Sequence, residues 1–530
     1  MLSRILVVFI VLLACCRAHA GRGPDSGSGE KLGKVSFPTS CDSSVQKSFE
    51  RGVALLHSFE FEQSDLQFQD VARQDPRCAM AYWGQAMSIY HQLWTRPTAI
   101  DLRDGLALVQ EAQRLRAGSD RERAYIDALA VFYSNYRTAS HAKRVAAYAK
   151  AMEKVYRQYP EDREGAVWYA LALLALGDDD AGAPNQKQAI ALLQELLQAM
   201  PEHPGVAHYL IHACDEPRFA PLGLEAARKY AAIAASSPHA VHMPSHIFAR
   251  LGLWQDDIKS NLAALAVAQE QAAHAEVAHH QLHAMDFLEY AYLQIGDDRK
   301  AKAVVDEALA LARKAGPEAG EYQHYAFVEF PVLLALETRQ WKTTLALKAP
   351  PDTEPYNRAI VYWAHAVAAG HLRDASAAQI AVAQYNAMIQ KTRRSSTPYE
   401  ADTMDTDHDE AGAWLAFARG RNEEAVRLMR SVADDQDGAG KGEVELPARE
   451  MLADMLLELQ RPEEALAEYE KSLKTDPNRF NGLYGAARAA ELAHLREKAA
   501  QFYGQLLANC TGSDSDRQEL VQARAVITNH

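Results

Sequence analysis

A repeat with a period of 34 residues near the C-terminus constrains the fold of this chain more than any other feature. The first copy contains Ala465, Tyr469 and Leu473, and the second contains Ala499, Tyr503 and Leu507. Small residues such as Ala465 let the two helices of a hairpin approach closely, and large residues fill the gaps between hairpins. Asp476-Pro477 lies between the copies, where proline stops one helix before the next begins. The repeat therefore predicts helix hairpins, each of which buries its apolar face against its neighbours.

The same pattern of a proline or glycine followed by small and aromatic residues occurs upstream. Examples are Asp75-Pro76 before 79–84, Tyr159-Pro160 before 166–170, and Gly252 before Trp254 and Ile258. Residues 43–508 thus resemble the tetratricopeptide repeat, most strongly in 447–508. The resemblance implies an all-α, right-handed superhelical array of antiparallel helix hairpins. It also implies a concave groove that binds a protein, a peptide or a small ligand.

The composition sets limits on the class of protein. The chain of 530 residues is 48% hydrophobic and 24% charged, as is ordinary for soluble globular proteins. Its net charge of −14 argues against a general nucleic-acid binder, so we predict no nucleic-acid partner. Beyond the first 20 residues, no apolar run is long enough to span a membrane.

The first 20 residues have the pattern of a signal peptide. Arg4 precedes an unbroken apolar run at 5–14, and Ala18-His19-Ala20 is a small-x-small cleavage site. We therefore predict export to a periplasmic or extracellular location. A second interpretation uses Leu12-Leu13-Ala14-Cys15, which resembles a lipoprotein signal and would anchor the protein through a lipid on Cys15.

Four cysteines remain after such a leader: Cys41, Cys78, Cys214 and Cys510. An oxidising compartment would allow disulfides, but the sequence does not pair them. Cys41 and Cys78 are the only two that lie near each other in sequence. We interpret the four as buried thiols, among which one disulfide is possible.

The predicted order of segments follows from these patterns. It is a signal peptide at 1–20, a flexible linker at 21–42, a repeat array at 43–390 with a His-rich groove at 203–290, a loop at 391–409, further repeats at 410–508, and a tail or helix at 509–530. The linker is predicted because residues 21–36 are rich in Gly, Ser, Lys and Pro. The loop is predicted because a basic Ser/Thr/Pro segment is followed by an acidic run.

Histidines are concentrated in the middle of the chain, where ten of the 20 lie between His203 and His283. Three pairs have a helical i, i+4 spacing, which places both rings on one helix face. The pairs are His208 with His212, His242 with His246, and His279 with His283. Measured from Pro201 and Gly252, the first two pairs occupy equivalent positions in successive repeats. The tetratricopeptide resemblance implies that those positions line the groove.

The histidine pairs predict a site for a divalent transition metal, with Zn, Cu, Ni and Fe as the candidates because imidazole suits them. The predicted ligands are His208, His212, His242, His246, His283 and Asp286, and the predicted further groove residues are Tyr290, His57 and His91. Asp215 or Glu216 is expected to be a ligand or to orient a histidine. The alternatives are a hydrogen-bonded polar groove without metal, or chance. Pro244 lies between His242 and His246 and would interrupt their helix.

The leading functional prediction is an exported scaffold that binds a protein or small ligand in its groove and holds a transition metal there. The alternative is a metal-dependent enzyme, a hydrolase or an oxidoreductase, with its site in the same groove. The sequence favours the scaffold, because it contains none of H-E-x-x-H, G-x-S-x-G or G-x-x-x-x-G-K-[ST].

Overall fold

The described part of the chain consists of helices joined by turns. In this computed structural model it covers residues 29–93, 96–177, 182–271, 276–315, 321–394, 398–439, 444–513 and 515–528. No strand occurs within those ranges, and the predicted all-α array of hairpins is confirmed. The predicted signal peptide at 1–20 and the anchor at Cys15 lie outside them. Residues Lys31–His530 form one compact unit.

A short 3-10 turn at Ser43–Val45 opens the array, as expected from the start of the helical pattern near Ser43. The helices of the first half are α1 Gln46–His57, α2 Phe61–Gln74, α3 Ala79–Ile89, α4 Ala99–Leu115, α5 Asp120–Tyr133, α6 His141–Gln158, α7 Arg163–Leu176, α8 Pro184–Ala199, α9 Pro204–Ala213, α10 Ala220–Ile233, α11 Pro238–His242, α12 Pro244–Arg250 and α13 Trp254–Glu270.

The second half continues in the same way. Its helices are α14 Glu276–Gln294, α15 Asp298–Ala315, α16 Glu321–Glu337, α17 Trp341–Thr344, α18 Pro355–His371, α19 Ala375–Thr392, α20 Pro398–Ala418, α21 Asn422–Ala439, α22 Ala448–Glu458, α23 Pro462–Thr475, α24 Phe480–Leu492, α25 Arg496–Asn509 and α26 Gln518–Thr528.

Each helix packs against the next along the chain, and the first helices of neighbouring hairpins also touch. In the region of the 34-residue repeat, the side chains of Ala465, Tyr469, Ala499 and Tyr503 are all buried. Gly485 of α24 lies against the Tyr469 ring so closely that a Cβ there would overlap it. Small residues therefore set the spacing between these helices, as the sequence predicts.

Two contacts bring together helices that are distant in the sequence. Helix α1 packs on α9, and α14 packs on α24. The second contact centres on Arg479, which is buried and forms ion pairs with Glu337 at 2.8 Å and Glu450 at 2.9 Å. The first contact matters for function because it places α1 directly behind the histidines of α9.

The prediction of a flexible linker at 21–42 is wrong for its described part from residue 31 onward. The Lys31 N–H donates to Ser236 Oγ at 2.8 Å, and the Lys34 N–H donates to the Glu202 carbonyl at 2.9 Å. Phe37 is fully buried, and Cys41 forms a disulfide with Cys78. An apolar anchor and a covalent link hold this segment on the array, although its composition is that of a linker. Cys214 and Cys510 are buried free thiols.

The prediction of a loop at 391–409 is also wrong. Helix α19 continues to Thr392, and α20 begins at Pro398, so that most of the segment is helical. Proline at the first position of a helix is favourable because its missing N–H is not needed there. Met404 is buried within the segment, an apolar contact that the acidic composition of the segment does not indicate.

No helix in the described ranges has the length and apolar character needed to cross a membrane.

Candidate functional site

Four helices, α9, α11, α12 and α14, bring six imidazoles together as two groups of three. The first triad is His208, His212 and His239, and the second triad is His242, His246 and His283. Within each triad the ring nitrogens that could bind a metal all lie within 4.8 Å of one another.

The first triad is centred on the Nε2 atom of His208. This atom lies 3.1 Å from His239 Nε2 and 3.1 Å from His212 Nε2. The Nδ1 atom of His208 contacts the backbone carbonyl of His57 at 2.7 Å. Because a carbonyl can only accept, Nδ1 carries the proton and donates, which leaves a lone pair on Nε2 facing the other two rings.

In the second triad, both nitrogens that face away from the centre have acceptors. His242 Nδ1 donates to Asn261 Oδ1 at 2.7 Å, and His246 Nδ1 donates to Asp215 Oδ2 at 2.9 Å. The Asn261 amide is fixed in this orientation because its nitrogen donates to the Asp257 backbone carbonyl and carboxylate. Arg250 holds the Asp215 carboxylate at 3.0 Å.

These hydrogen bonds leave lone pairs on Nε2 of both His242 and His246, and the two atoms face each other at 3.1 Å. When both rings are neutral, the single proton of each sits on Nδ1, so the two Nε2 lone pairs face each other and repel. A bound cation removes the repulsion. Three nitrogens bound tetrahedrally at 2.0–2.1 Å would be about 3.3 Å apart, close to the 3.1 Å contacts that occur in both triads.

Burial keeps two histidines of the first triad, His208 and His239, neutral. It lowers the pKa of His208 to about 3, and it lowers the pKa of His239 well below its usual value, with further lowering from neighbouring histidines. Neutral imidazole is the form that binds metals. His212 and His283 are only half-buried, so one histidine of each triad lies nearer to solvent.

One phenylalanine supports each triad. The Phe59 ring lies 4.4 Å from the His208 ring and 5.5 Å from the His212 ring, measured between centroids. The Phe287 ring lies 4.7 Å from that of His246 and 5.0 Å from that of His242. These rings restrict the imidazoles to orientations in which the Nε2 atoms converge.

A separate buried group, formed by His57, Glu164 and His203, lies behind the first triad. His57 Nε2 and His203 Nε2 donate to the Glu164 carboxylate at 3.0 and 2.8 Å, and the Tyr209 hydroxyl donates to His57 Nδ1 at 2.9 Å. Burial alone would raise the pKa of Glu164, but the two histidines hold that pKa below its usual range. Both nitrogens of His57 are satisfied, so its role here is to hold the carbonyl that orients His208.

Four predicted site residues lie elsewhere. Asp286 accepts a hydrogen bond from the Tyr325 hydroxyl at 3.0 Å and belongs to neither triad. Tyr290 is 1% exposed and packs on Trp254, so it does not line a groove. His57 is fully buried because α1 packs on α9. The same packing places α1 behind the histidines of α9.

His91, the remaining predicted groove residue, stacks on Phe61 at 4.1 Å and hydrogen-bonds the Ser88 carbonyl at 3.1 Å. It also falls outside both triads. Asp215 occupies the position expected of an orienting residue, whereas Glu216 forms an ion pair with Arg218.

Sequence reasoning missed His239, which completes the first triad. The signal was present: Ser237-Pro238 is a helix start, which places His239 and His242 three residues apart on one short helix. Pro244 does interrupt the helix, as expected, and separates α11 from α12. His242 and His246 nevertheless converge, because Met243 at the junction keeps helical backbone angles.

The comparison with protein families identifies the repeat. The tetratricopeptide repeat family model matches residues 446–479. Residues 446–479 are thus a tetratricopeptide repeat, and the resemblance seen in the sequence is confirmed there. The matched residues cover α22, α23 and the start of the next hairpin, so they lie away from the two triads. No curated protein matches the chain.

Several solved structures resemble the chain in fold alone. They include the human IFIT1 dimer with m7Gppp-AAAA, at 13% identity over 82% of this chain and 90% of that one, with a TM-score of 0.38. The APC/C hetero-tetramer Cut9-Hcn1 shares 11% identity over 91% and 89%, with a TM-score of 0.35. A tetratricopeptide repeat protein from Parabacteroides merdae shares 13% identity over 56% and 98%, with a TM-score of 0.28. Likeness at this level carries no argument about the site.

Proposed function

We propose that this protein is an exported tetratricopeptide-like scaffold that binds a transition-metal ion at its histidine triads. The observation that carries the proposal is the contact between the Nε2 atoms of His242 and His246, at 3.1 Å, with both Nδ1 atoms already donating. A polar groove without metal accounts for this contact only when one of the two rings is an imidazolium, because a neutral ring that donates from Nδ1 has no proton on Nε2.

The donor set selects the class of metal. The triads consist of imidazoles alone, which suit Zn, Cu, Ni and Fe, whereas Ca²⁺ and Mg²⁺ require oxygen ligands. Acceptors on the outer nitrogens fix each ring, in the way that proteins orient metal-binding histidines. Three protein ligands leave a coordination position open for a small ligand.

Export is proposed from the leader at 1–20 and from the disulfide between Cys41 and Cys78. Disulfides persist in oxidising compartments and are rare in the cytosol. Fractionation of cells that express the full chain tests this part, together with the mass of the mature protein. A mature N-terminus near residue 21 is expected. An intact leader on cytosolic protein contradicts export, and a lipid-modified Cys15 supports anchoring instead.

Metal binding is tested on protein purified without an affinity tag, stripped with a chelator, and incubated with Zn²⁺ or Cu²⁺. We expect stoichiometric metal to remain after gel filtration and to raise the melting temperature, since an ion at 100 times its Kd stabilises a fold by about 2.7 kcal/mol. The double variant His212→Gln, His283→Gln should lose both effects. The exposed His408 provides a matched control as His408→Gln.

Absence of retained metal, together with an unchanged melting temperature, contradicts the proposal. If the double variant retains as much metal as the wild type and shows the same rise in melting temperature, any bound metal lies outside the triads. Histidine to glutamine keeps the side chain polar, and both substituted residues are half-buried, so the fold is expected to survive.

The second candidate function is a metal-dependent hydrolase or oxidoreductase. It is favoured by the partial exposure of His212 and His283, because an open coordination position near solvent is what distinguishes catalytic from structural sites. Turnover that requires the metal and is lost with either triad supports this function. Binding of a protein or peptide along the array remains a prediction from the repeat itself.

A further inference from the structure

The two triads do not share one ion. Six nitrogens bound octahedrally to one ion at about 2.1 Å would all lie within about 4.2 Å of one another. Within each triad the candidate ligand nitrogens all lie within 4.8 Å of one another. Among the described residues, the six nitrogens of the two triads together do not. Each triad therefore has the geometry for its own ion.

The two triads are nonetheless immediate neighbours. The ring centroids of His212 and His246 are 6.3 Å apart, and those of His239 and His242 are 6.4 Å apart. The distance between His212 and His239, which belong to the same triad, is also 6.4 Å. Rings in different triads are thus as close as two rings of the same triad.

The backbone makes this proximity a built feature. Helix α11 carries one ligand of each triad, His239 and His242, within its five residues. Helix α9 supplies the other two ligands of the first triad, and α12 and α14 supply those of the second. A short helix held between these neighbours fixes the distance between the two sites.

We propose that the triads hold two ions as one dinuclear centre, in which a small anion such as hydroxide bridges the metals. This inference rests on the proposed metal-binding function. It adds that each chain binds two ions and that a small anion bridges them. Two divalent ions bring four positive charges, six neutral imidazoles compensate none of them, and the Asp215 carboxylate behind His246 is already paired with Arg250. Burying uncompensated charge is costly, so an anion that bridges the ions is favoured because it offsets part of that charge. A pair of bridged ions is a common arrangement for activating a small ligand.

The experiment uses Cu²⁺ as the probe, because isolated Cu²⁺ ions give an electron paramagnetic resonance signal and closely coupled pairs lose it. The full chain is loaded with Cu²⁺, and copper content and integrated signal are measured on the same sample. We expect two coppers per chain in the wild type, with a signal well below that of two independent ions.

Two single-triad variants calibrate that measurement. His212→Gln disables the first triad and His283→Gln disables the second, and each should retain one copper with its full signal. His408→Gln serves as the matched control and should behave as the wild type. Azide is then titrated as a bridging probe, with one azide per copper pair expected from the new absorption band, and weaker binding in both single-triad variants.

The outcomes separate the two proposals. Two coppers with the full signal of independent ions, or one copper per chain, overturns the dinuclear centre but leaves metal binding intact. Failure to bind copper, zinc or nickel overturns the proposed function itself. A coupled pair that persists in either single-triad variant places the centre elsewhere and also overturns the inference.

Discussion

At the scale of the residue, the groups behind the imidazoles matter as much as the imidazoles. A carbonyl, an amide oxygen and a carboxylate accept from the Nδ1 atoms of His208, His242 and His246. Each acceptor decides which ring nitrogen carries the proton and turns the lone pair of the other toward the centre. Without these acceptors the same six histidines would exchange protons and hydrogen-bond one another.

Asp215→Asn tests this role directly. The amide can still accept from His246, but it lacks the negative charge that strengthens the imidazole as a ligand. We expect the affinity for Zn²⁺ to fall about 10–100-fold, as is typical when a partner of a metal-binding histidine is changed. Competition with a chromogenic chelator measures the affinity. Asp256→Asn, an exposed acid on α13, provides the control, and equal affinities for the two variants would contradict the prediction.

A second residue-scale prediction concerns the pH dependence of stability. Burial raises the pKa of Asp407 to about 7, and the nearby Glu445 adds to the shift. The folded protein therefore holds a proton that the unfolded chain has already released, so this group costs stability progressively as the pH rises from about 4 to about 7.

Asp407→Asn removes that cost. Because one pKa unit corresponds to about 1.4 kcal/mol, we expect the variant to be more stable than the wild type by about 2–4 kcal/mol at pH 8. The difference should vanish near pH 4. Urea unfolding at a series of pH values measures it. Asp409→Asn, which is exposed on the same helix, should show no such trend. A gain that is independent of pH would contradict the assigned cause.

At the scale of the element, the short helix α11 explains both the success and the failure of sequence reasoning. The i, i+4 spacing correctly brought together His208 with His212, and His242 with His246, because helix periodicity is a local property. It could not find His239, whose partners lie on α9 at a distance set by packing between hairpins. It also predicted Asp286 as a ligand, but this residue lies outside both triads, where its carboxylate accepts from the Tyr325 hydroxyl.

Ser237 fixes where α11 begins. Its hydroxyl accepts from the Ala240 N–H at 3.1 Å and donates to the buried Glu60 carboxylate at 2.5 Å. We expect Ser237→Ala to lower the free energy of unfolding by about 1–2 kcal/mol and also to weaken metal binding, because His239 lies two residues further on.

The cap of α6 offers a matched comparison. Ser140 caps that helix through the Lys143 N–H but lies far from the triads in the sequence. Ser140→Ala should cost about 1 kcal/mol of stability and leave metal affinity unchanged. Chemical denaturation and metal titration of both variants provide the measurements. If both variants bind metal equally well, α11 does not need its cap to hold His239.

At the scale of the whole molecule, the sequence predicted the array but not the contacts that close it. The small and aromatic residues of the 34-residue repeat specify neighbouring hairpins, since those contacts are local along the array. The packing of α1 on α9, and of α14 on α24, joins residues more than 100 positions apart and leaves no periodic trace. The docked segment after residue 31 was missed for the same reason, because its partners Glu202 and Ser236 are distant in the sequence.

Arg479 is the clearest case of such a distant contact. It is 1% exposed, and it bonds to Glu337 on α16, to Glu450 on α22 and to the Tyr290 hydroxyl on α14. Its burial is tolerated because two carboxylates compensate its charge. Removing the guanidinium leaves both carboxylates in an apolar setting, and breaking a buried ion pair in this way costs about 3–5 kcal/mol.

We therefore expect Arg479→Ala to lower the free energy of unfolding by about 3–5 kcal/mol, whereas Arg496→Ala, on the exposed start of α25, should cost almost nothing. Adding Glu337→Gln and Glu450→Gln to Arg479→Ala should restore part of the loss, because the unpaired charges disappear with the acids. Thermal and urea unfolding of the three variants measures these differences. No recovery in the triple variant would mean that Arg479 stabilises the contact by packing rather than by charge.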